Sequence, residues 1–226
     1  MRKEIIILAA IVAVVVIGLV VGSNYYRSSI QSERKPTNTA TTSAPAGQLV
    51  RPDSWKLGPE NAKVTLVEFY DPECEACAAF HPIVKKILKD YEGKIRLVTR
   101  YMPLHPNSLL AAIFTEAAGE QGKYWQAQEL LFQKQPEWGT KHGAPSATTA
   151  EVNALFGKYA GELGLDTKKL ESAMAENRFA AKIEQDKKDG QGLGVRQTPT
   201  FFVNGRQLLR FGEGELRQLI DDELKK

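Results

Sequence analysis

The sequence predicts an α/β protein that contains an inserted block of helices. Three observations lead to this prediction: a strand–helix–strand unit in residues 63–101, helical periodicity through residues 107–192, and a short hairpin with a closing helix after residue 199. The chain has 226 residues, of which 42% are hydrophobic and 25% are charged. This composition suffices for one folded domain with additional segments.

Charge and cysteine content exclude several classes of protein. The formal net charge of +3 arises before residue 54, so residues 54–226 are neutral overall and offer no extensive basic surface. We therefore expect no nucleic-acid partner. The only two cysteines, Cys74 and Cys77, cannot build a disulfide framework or a zinc site from paired Cys-x-x-Cys motifs.

The N-terminal segment predicts attachment to a membrane. Residues 5–21 are seventeen apolar residues without a charge, and a helix of that length is about 26 Å long, enough to span a bilayer. A cleaved signal peptide is the alternative, and either segment would export the rest of the chain. We expect a transmembrane signal-anchor at 5–22, with residues 1–4 in the cytoplasm. Residues 23–53 are rich in Ser, Thr, Pro and Ala and predict a disordered linker.

Residues 63–101 predict two strands joined by a helix. Lys63–Tyr70 is rich in branched and aromatic residues, which is typical of a buried strand. From Glu75 to about Tyr91, apolar residues recur every three or four positions and indicate a helix. Ile95–Tyr101 is the second predicted strand. A right-handed crossover would make the two strands parallel neighbours.

Residues 107–192 are the predicted helical insertion. Its periodic segments are Leu109–Ala118, Tyr124–Gln133, Thr149–Leu163, Thr167–Glu176 and Phe179–Lys188. The α/β frame resumes with a strand at Thr200–Val203, and the Asn-Gly pair after it is a hairpin signal. A further strand at Gln207–Phe211 is therefore expected to be antiparallel to it. A helix from Glu213 closes the chain.

The sequence Cys74-Glu75-Ala76-Cys77 lies where the first strand gives way to its helix. Unpaired N–H groups and the helix dipole favour a thiolate on Cys74, which we predict to be the exposed nucleophile. Cys77 would be the resolving thiol that attacks a mixed disulfide. Two alternatives remain: a metal site that includes His81, and a pair of inert buried cysteines.

Two separated motifs carry a family resemblance. The strand VTLVEFY, the Cys-x-x-Cys motif and Pro82 in the following helix resemble the thioredoxin fold, and GVRQTPTFFVNG at Gly194–Gly205 resembles its cis-proline loop and next strand. EAAGEQGKYWQAQELLF at Glu116–Phe132 is similar to the helical insertion of DsbA-like thiol:disulfide oxidoreductases. The implied domain covers residues 54–226, with thioredoxin halves 54–106 and 193–226 around the insertion 107–192.

The resemblance implies roles for three positions outside the cysteine motif. Glu68 matches a buried acidic residue that assists proton transfer at the second cysteine, and burial would raise its pKa. Thr198-Pro199 matches the cis-proline dipeptide, and the backbone before that proline pairs with substrate in the family.

The dipeptide between the cysteines departs from the strongest oxidants of the family. Those enzymes have Pro-His, whereas Glu75 and Ala76 stand in this chain. Glu75, with Asp71 and Glu73 nearby, opposes negative charge on Cys74 and makes it less acidic than in those enzymes. We expect a reduction potential between about −270 mV, as in thioredoxin, and about −120 mV, as in DsbA.

The apolar N-terminal segment and the family resemblance together predict a membrane-tethered oxidoreductase in the periplasm or at the cell exterior. It would pass the Cys74–Cys77 disulfide to unfolded or reduced exported proteins, and a quinone-linked membrane partner would reoxidise it. No organic cofactor or metal is expected. A disulfide isomerase or reductase on the same fold, and a metal carrier or binding module that uses Cys74, Cys77 and His81, are the alternatives. Because the linker offers no dimerisation domain, we expect a monomer.

Overall fold

The computed structural model describes residues 44–140 and 147–226, together with Gly18 and Gly22. The chain divides into two units, Met1–Thr39 and Ala40–Lys226, and the second unit contains the sheet and both cysteines. The predicted signal-anchor at 5–22 and most of the predicted linker fall outside the described residues. Within the residues that the structure describes, no helix has both the length and the apolar character that crossing a bilayer requires.

One mixed sheet forms the centre of the domain. Its strands are β1 (Trp55–Leu57), β2 (Val64–Tyr70), β3 (Ile95–Tyr101), β4 (Thr200–Val203) and β5 (Arg206–Gln207). They are ordered β1-β3-β2-β4-β5. The strands β2 and β3 are parallel, with Val64 opposite Ile95, whereas the other neighbours are antiparallel. The predicted parallel pair and the antiparallel hairpin are thus confirmed.

Eight helices lie in the described part of the second unit. They are α1 (Ala46–Leu49), α2 (Glu75–Asp90), α3 (Ser108–Glu120), α4 (Tyr124–Trp138), α5 (Thr149–Leu163), α6 (Thr167–Ala175), α7 (Ala180–Gly192) and α8 (Glu213–Leu224). The helices α3 to α7 occupy the stretch predicted as an insertion. Trp138 and Phe156 are fully buried in the apolar core that α3 to α6 share.

Both faces of the sheet are covered, which explains why six of the seven residues of β2 are buried. Side chains alternate between faces along a strand. Leu66 belongs to a cluster with residues of α2 and α8, while its neighbour Val67 packs with Leu49 and Val195 on the other side. A third cluster joins Cys77 to residues of the insertion. The cysteines therefore lie at the junction of the sheet and the helical insertion.

The predicted linker at 23–53 extends too far. Residues Ala46–Leu49 are helical, and Leu49 is 2% exposed in the core beneath the sheet. The carbonyl oxygens of Gln48 and Leu49 accept hydrogen bonds from the guanidinium of Arg100, at 2.7 and 2.9 Å. A polar composition does not reveal this segment, because main-chain acceptors and a single buried leucine hold it in place.

Two further elements differ from the sequence prediction. The strand β1 was not predicted; it pairs with β3, with Trp55 opposite Thr99. The second hairpin strand covers only Arg206–Gln207 rather than residues 207–211. Asn204 and Gly205 have φ values of 46° and 87°, as the tight turn requires. Leu208 still donates its N–H to the carbonyl of Phe201 at 2.8 Å, and after it Leu209 and Phe211 are exposed.

Candidate active site

The two cysteines begin helix α2 directly after β2. Cys74 is the N-cap residue and Cys77 lies in the first turn. Both carry free thiols. Cys74 is 8% exposed and Cys77 is fully buried, so the predicted nucleophile is the more accessible of the two, although less exposed than the sequence suggested.

The surroundings of Cys74 favour its thiolate. Its pKa falls from 9.0 to about 6. The first cause is a hydrogen bond from the Cys77 thiol, followed by the Thr198 side chain and the backbone N–H groups of Cys77 and Ala76, which together outweigh the effect of burial. Glu75 and Ala76 are exposed on the first turn of the helix. A pKa near 6 means that Cys74 is mostly ionised at pH 7.

The Thr198–Pro199 peptide bond is cis, as its match to the family's dipeptide implied. The Cys74 Sγ lies 3.3 Å from the carbonyl oxygen of Thr198, which accepts a hydrogen bond from the thiol when Cys74 is protonated. Pro199 is buried at the start of β4. The two motifs, more than a hundred residues apart in the sequence, thus meet at one sulfur atom.

Glu68 lies in β2 and is 4% exposed. Burial, with a smaller effect from Cys74, raises its pKa to about 8. Burial also raises the pKa of Cys77 well above 9.0, and the charges of Cys74 and Glu68 act in the same direction. The two thiols therefore differ strongly in acidity, and a protonated carboxyl accompanies the buried thiol at neutral pH.

Two carboxylates of the turn before Cys74 have a role that the sequence did not reveal. Asp71 is fully buried and accepts the N–H groups of Glu73 at 2.8 Å and Leu104 at 2.6 Å. Glu73 is 3% exposed and accepts the N–H groups of Asn107 at 2.6 Å and Thr140 at 2.8 Å. These carboxylates hold the turn through partners that are distant in the sequence. The only signal was two acidic residues around Pro72.

His81 does not complete a metal site with the cysteines. It is half-buried, its pKa is lowered mainly by burial, and its ring packs 5.0 Å from that of Phe132. Among the residues that the structure describes, no group of three or more His, Cys, Asp or Glu side chains could hold a metal ion. The metal-carrier alternative has no support in this part of the chain.

A groove of about 200 Å³ runs beside the cis-proline. Pro199 and Gln197 line it together with Leu209 and Phe211. The last two side chains are 57% and 50% exposed, and the Phe211 ring packs 4.6 Å from that of Phe80 in α2. Accessible apolar side chains therefore lie beside the cis-proline, one residue from the Thr198 carbonyl that contacts the Cys74 sulfur.

Comparisons with known proteins agree with this geometry. A family profile described as Thioredoxin matches residues 51–222. Disulfide bond formation protein D of Bacillus subtilis is 30% identical over 181 residues, which cover 75% of this chain and 76% of that protein. The crystal structure of oxidised BdbD from Bacillus subtilis superposes with a TM-score of 0.69 at 28% identity, covering 82% of this chain and all of that one.

A second kind of relative is much longer than this chain. The Na(+)/H(+) antiporter NhaA 3 of Salinispora tropica is 38% identical over 153 residues, which are 66% of this chain but 21% of the antiporter. The chain thus spans about a fifth of the length of that relative. The family profile covers the sheet, both cysteines and the cis-proline loop. The chain belongs to the thioredoxin family and is similar to disulfide bond formation protein D of Bacillus subtilis.

Proposed function

We propose that this protein is a membrane-tethered, extracytoplasmic oxidoreductase that transfers the Cys74–Cys77 disulfide to exported proteins. One observation carries the proposal: the Cys74 sulfur, whose pKa is lowered to about 6, lies at the N-terminus of α2 and 3.3 Å from the carbonyl of Thr198. This places a stabilised thiolate beside the main chain of a cis-proline loop.

The first step forms a mixed disulfide. A substrate thiolate attacks the Sγ of Cys74, an S–S bond forms between substrate and Cys74, and the Cys74–Cys77 bond breaks. The electron pair of the broken bond goes to the Cys77 sulfur. Because the pKa of Cys77 is raised well above 9.0, this sulfur takes up a proton.

Glu68 supports that proton transfer. Its pKa of about 8 keeps the carboxyl protonated at pH 7, so it can give a proton to the Cys77 sulfur as the bond breaks. When the enzyme is reoxidised, the carboxylate takes the proton back from the Cys77 thiol. A buried acid–base group serves both directions without admitting bulk solvent.

The second step releases the substrate. A second substrate thiolate attacks the substrate sulfur of the mixed disulfide, and Cys74 leaves with the electron pair as a thiolate. Overall, two substrate thiols lose two electrons and two protons, and the Cys74–Cys77 pair is reduced. The low pKa of Cys74 makes it a good leaving group and stabilises the reduced enzyme, which favours donation of the disulfide.

The cis-proline loop offers a place for the substrate. A peptide beside Thr198 could pair with its main chain and keep a cysteine close to Cys74. The groove lined by Leu209 and Phe211 favours an apolar side chain on that peptide, since contact removes exposed apolar surface from water. Unfolded exported proteins present both features.

The enzyme must be reoxidised after each transfer. We propose a membrane oxidase that passes two electrons to a quinone, with the domain held at the membrane through residues 5–22. The apolar sequence of that segment supports this location. The name of the Bacillus subtilis relative, disulfide bond formation protein D, is consistent with net formation of disulfides.

An equilibrium titration of the purified full chain in glutathione buffers tests the proposal, with alkylation to follow the thiols. We expect a potential above about −180 mV, together with oxidative refolding of a reduced substrate. Cys74→Ser should abolish refolding, whereas Cys77→Ser should accumulate a mixed disulfide on Cys74. A potential below about −230 mV would instead indicate a reductase. Refolding that survives Cys74→Ser would overturn the mechanism.

A further inference from the structure

The carboxylate of Asp71 connects the cysteine turn to the segment after β3. Asp71 is fully buried, and its Oδ2 lies 2.7 Å from Nδ1 of His105. The backbone carbonyl of Asp71 accepts the N–H of Cys74 at 3.1 Å, and its Oδ1 also accepts from the Ser108 hydroxyl. A histidine and the nucleophilic cysteine are thus joined through one aspartate.

The His105 ring is the accessible end of this arrangement. Its side chain is 39% exposed, whereas that of Asp71 is not exposed at all. The hydrogen bond to Asp71 is the first cause that raises the pKa of His105, and the charges of Asp71, Cys74 and Glu73 act in the same direction against the effect of burial. The ring therefore carries a positive charge over a wider pH range than a free histidine.

We propose that His105 is a positioning residue that, through its contact with Asp71 and its charge, increases the fraction of Cys74 present as thiolate. The proposal rests on the proposed function, because it concerns the same nucleophile. The sequence alone offered only a histidine between Pro103 and Pro106, and its link to the cysteine turn depends on the folded chain.

The electrostatic argument follows from linkage. If the Cys74 thiolate raises the affinity of His105 for a proton, the imidazolium must favour ionisation of Cys74 by the same factor. The other charged groups that act on the ring, Asp71 and Glu73, are both carboxylates. The imidazolium of His105 therefore supplies positive charge next to Asp71 and Glu73, whose negative charges disfavour a thiolate on Cys74. Its effect disappears as the pH rises through the pKa of the ring.

The direct test is a histidine titration by NMR of the full chain. We compare the reduced protein with Cys74→Ser, in which no thiolate can form. The midpoint of His105 should fall in Cys74→Ser by an amount that corresponds to a roughly two- to fivefold weaker proton affinity, the range of partly exposed charge pairs. The midpoint of His81 should not move, because the charged groups that act on that ring are Glu129 and Lys85 and not Cys74.

A second measurement follows the thiol itself. His105→Gln keeps a donor for Asp71 and removes the charge, so the rate of Cys74 alkylation near pH 6 should fall roughly two- to fivefold and its pH midpoint should rise. His81→Gln is the matched control and should alkylate as the native protein does. A purely structural histidine would leave the His105 midpoint unchanged between reduced protein and Cys74→Ser, and that result overturns the proposal.

The role of His105 and the proposed oxidoreductase function can be refuted independently of each other. The histidine titration needs no substrate, so coupling between His105 and Cys74 can be present even when the protein proves unable to refold a reduced substrate. If His105→Gln does not fold, the titration of the native ring decides alone.

Discussion

Arg100 and Asp186 form an ion pair of 2.7 Å whose side chains are 0% and 3% exposed. Arg100 lies in β3 and Asp186 in α7, and the second oxygen of Asp186 accepts the N–H of Tyr101 at 3.0 Å. The same guanidinium donates to the carbonyls of Gln48 and Leu49. One buried cation therefore joins the sheet, the helical insertion and the segment that enters the domain.

Removing this cation should cost much of the stability of the domain. We expect Arg100→Met to lower the free energy of unfolding by about 3–5 kcal/mol, because Asp186 is left charged and buried. Arg178 provides the matched control: it pairs with Glu120 and Glu176 at the surface, and Arg178→Gln should cost under about 1 kcal/mol. Denaturant unfolding at pH 7 measures both, and equal losses would contradict the prediction.

Glu68→Gln should stabilise the protein increasingly as the pH rises. The unfolded carboxyl ionises near 4.5, whereas the folded one stays protonated up to about 8, so native stability falls with pH across that window. The free energy of unfolding of Glu68→Gln does not fall in this way. Its excess over that of the native protein should grow to at most about 5 kcal/mol by pH 8.

Unfolding measured from about pH 4 to about pH 9 tests this sign. Glu151→Gln is the control of opposite sign. The backbone and side chain of Thr148 lower the pKa of Glu151, so native stability from that carboxylate is present above pH 4.5 and lost as the pH falls. If the free energies of unfolding of Glu68→Gln and the native protein change with pH in the same way, Glu68 is not held protonated in the folded state.

Thr198→Val should make Cys74 less acidic. The Thr198 side chain is one of the groups that lower the Cys74 pKa, and a hydrogen bond to a charged group corresponds to about one pKa unit. Thr200→Val is the matched control, because the Thr200 hydroxyl donates to the carbonyl of Gln197 instead. Thiolate absorbance measured against pH gives the Cys74 pKa in each variant. An equal shift of that pKa in both variants would argue against a specific hydrogen bond between the Thr198 side chain and Cys74.

Phe211→Ser should weaken substrate binding without altering the thiols. The side chain is 50% exposed beside the cis-proline, and loss of its apolar contact should raise KM roughly three- to tenfold. Leu57→Ser changes another exposed apolar residue, on β1 at the edge of the sheet, and should leave KM unchanged. Refolding kinetics at several substrate concentrations separate KM from kcat, and a change confined to kcat would contradict a role in binding.

The sequence predicted those parts of the domain that local patterns determine. Branched and aromatic residues indicated β2, and the position of the cysteines at a strand–helix junction follows from the neighbouring sequence alone. The cis bond before Pro199 came only from the family resemblance, since nothing in the adjacent residues requires it.

Parts of the site that depend on distant partners could not be predicted. Asp71 and Ser108 are 37 positions apart, and Glu73 and Thr140 are 67 apart, so only the folded chain reveals that both carboxylates are buried and bound. The helix α1 was not predicted for the same reason. Its carbonyl oxygens accept hydrogen bonds from Arg100, which lies about 50 positions further along the chain. The local composition predicted a solvated linker, whereas the main chain of this segment provides hydrogen-bond acceptors for the buried guanidinium of Arg100.

The entry point of the chain lies at the end of the sheet opposite the cysteines. Ala44 donates its N–H to the carbonyl of Gly205 at 2.9 Å, and Asn204 of the same turn donates to Thr65 near the beginning of β2. Cys74 follows the other end of that strand, whose seven residues span roughly 20 Å. Ala44 and Cys74 therefore lie at opposite ends of the sheet, and a bulky protein can approach the sulfur without contacting Ala44 or the turn at Asn204 and Gly205.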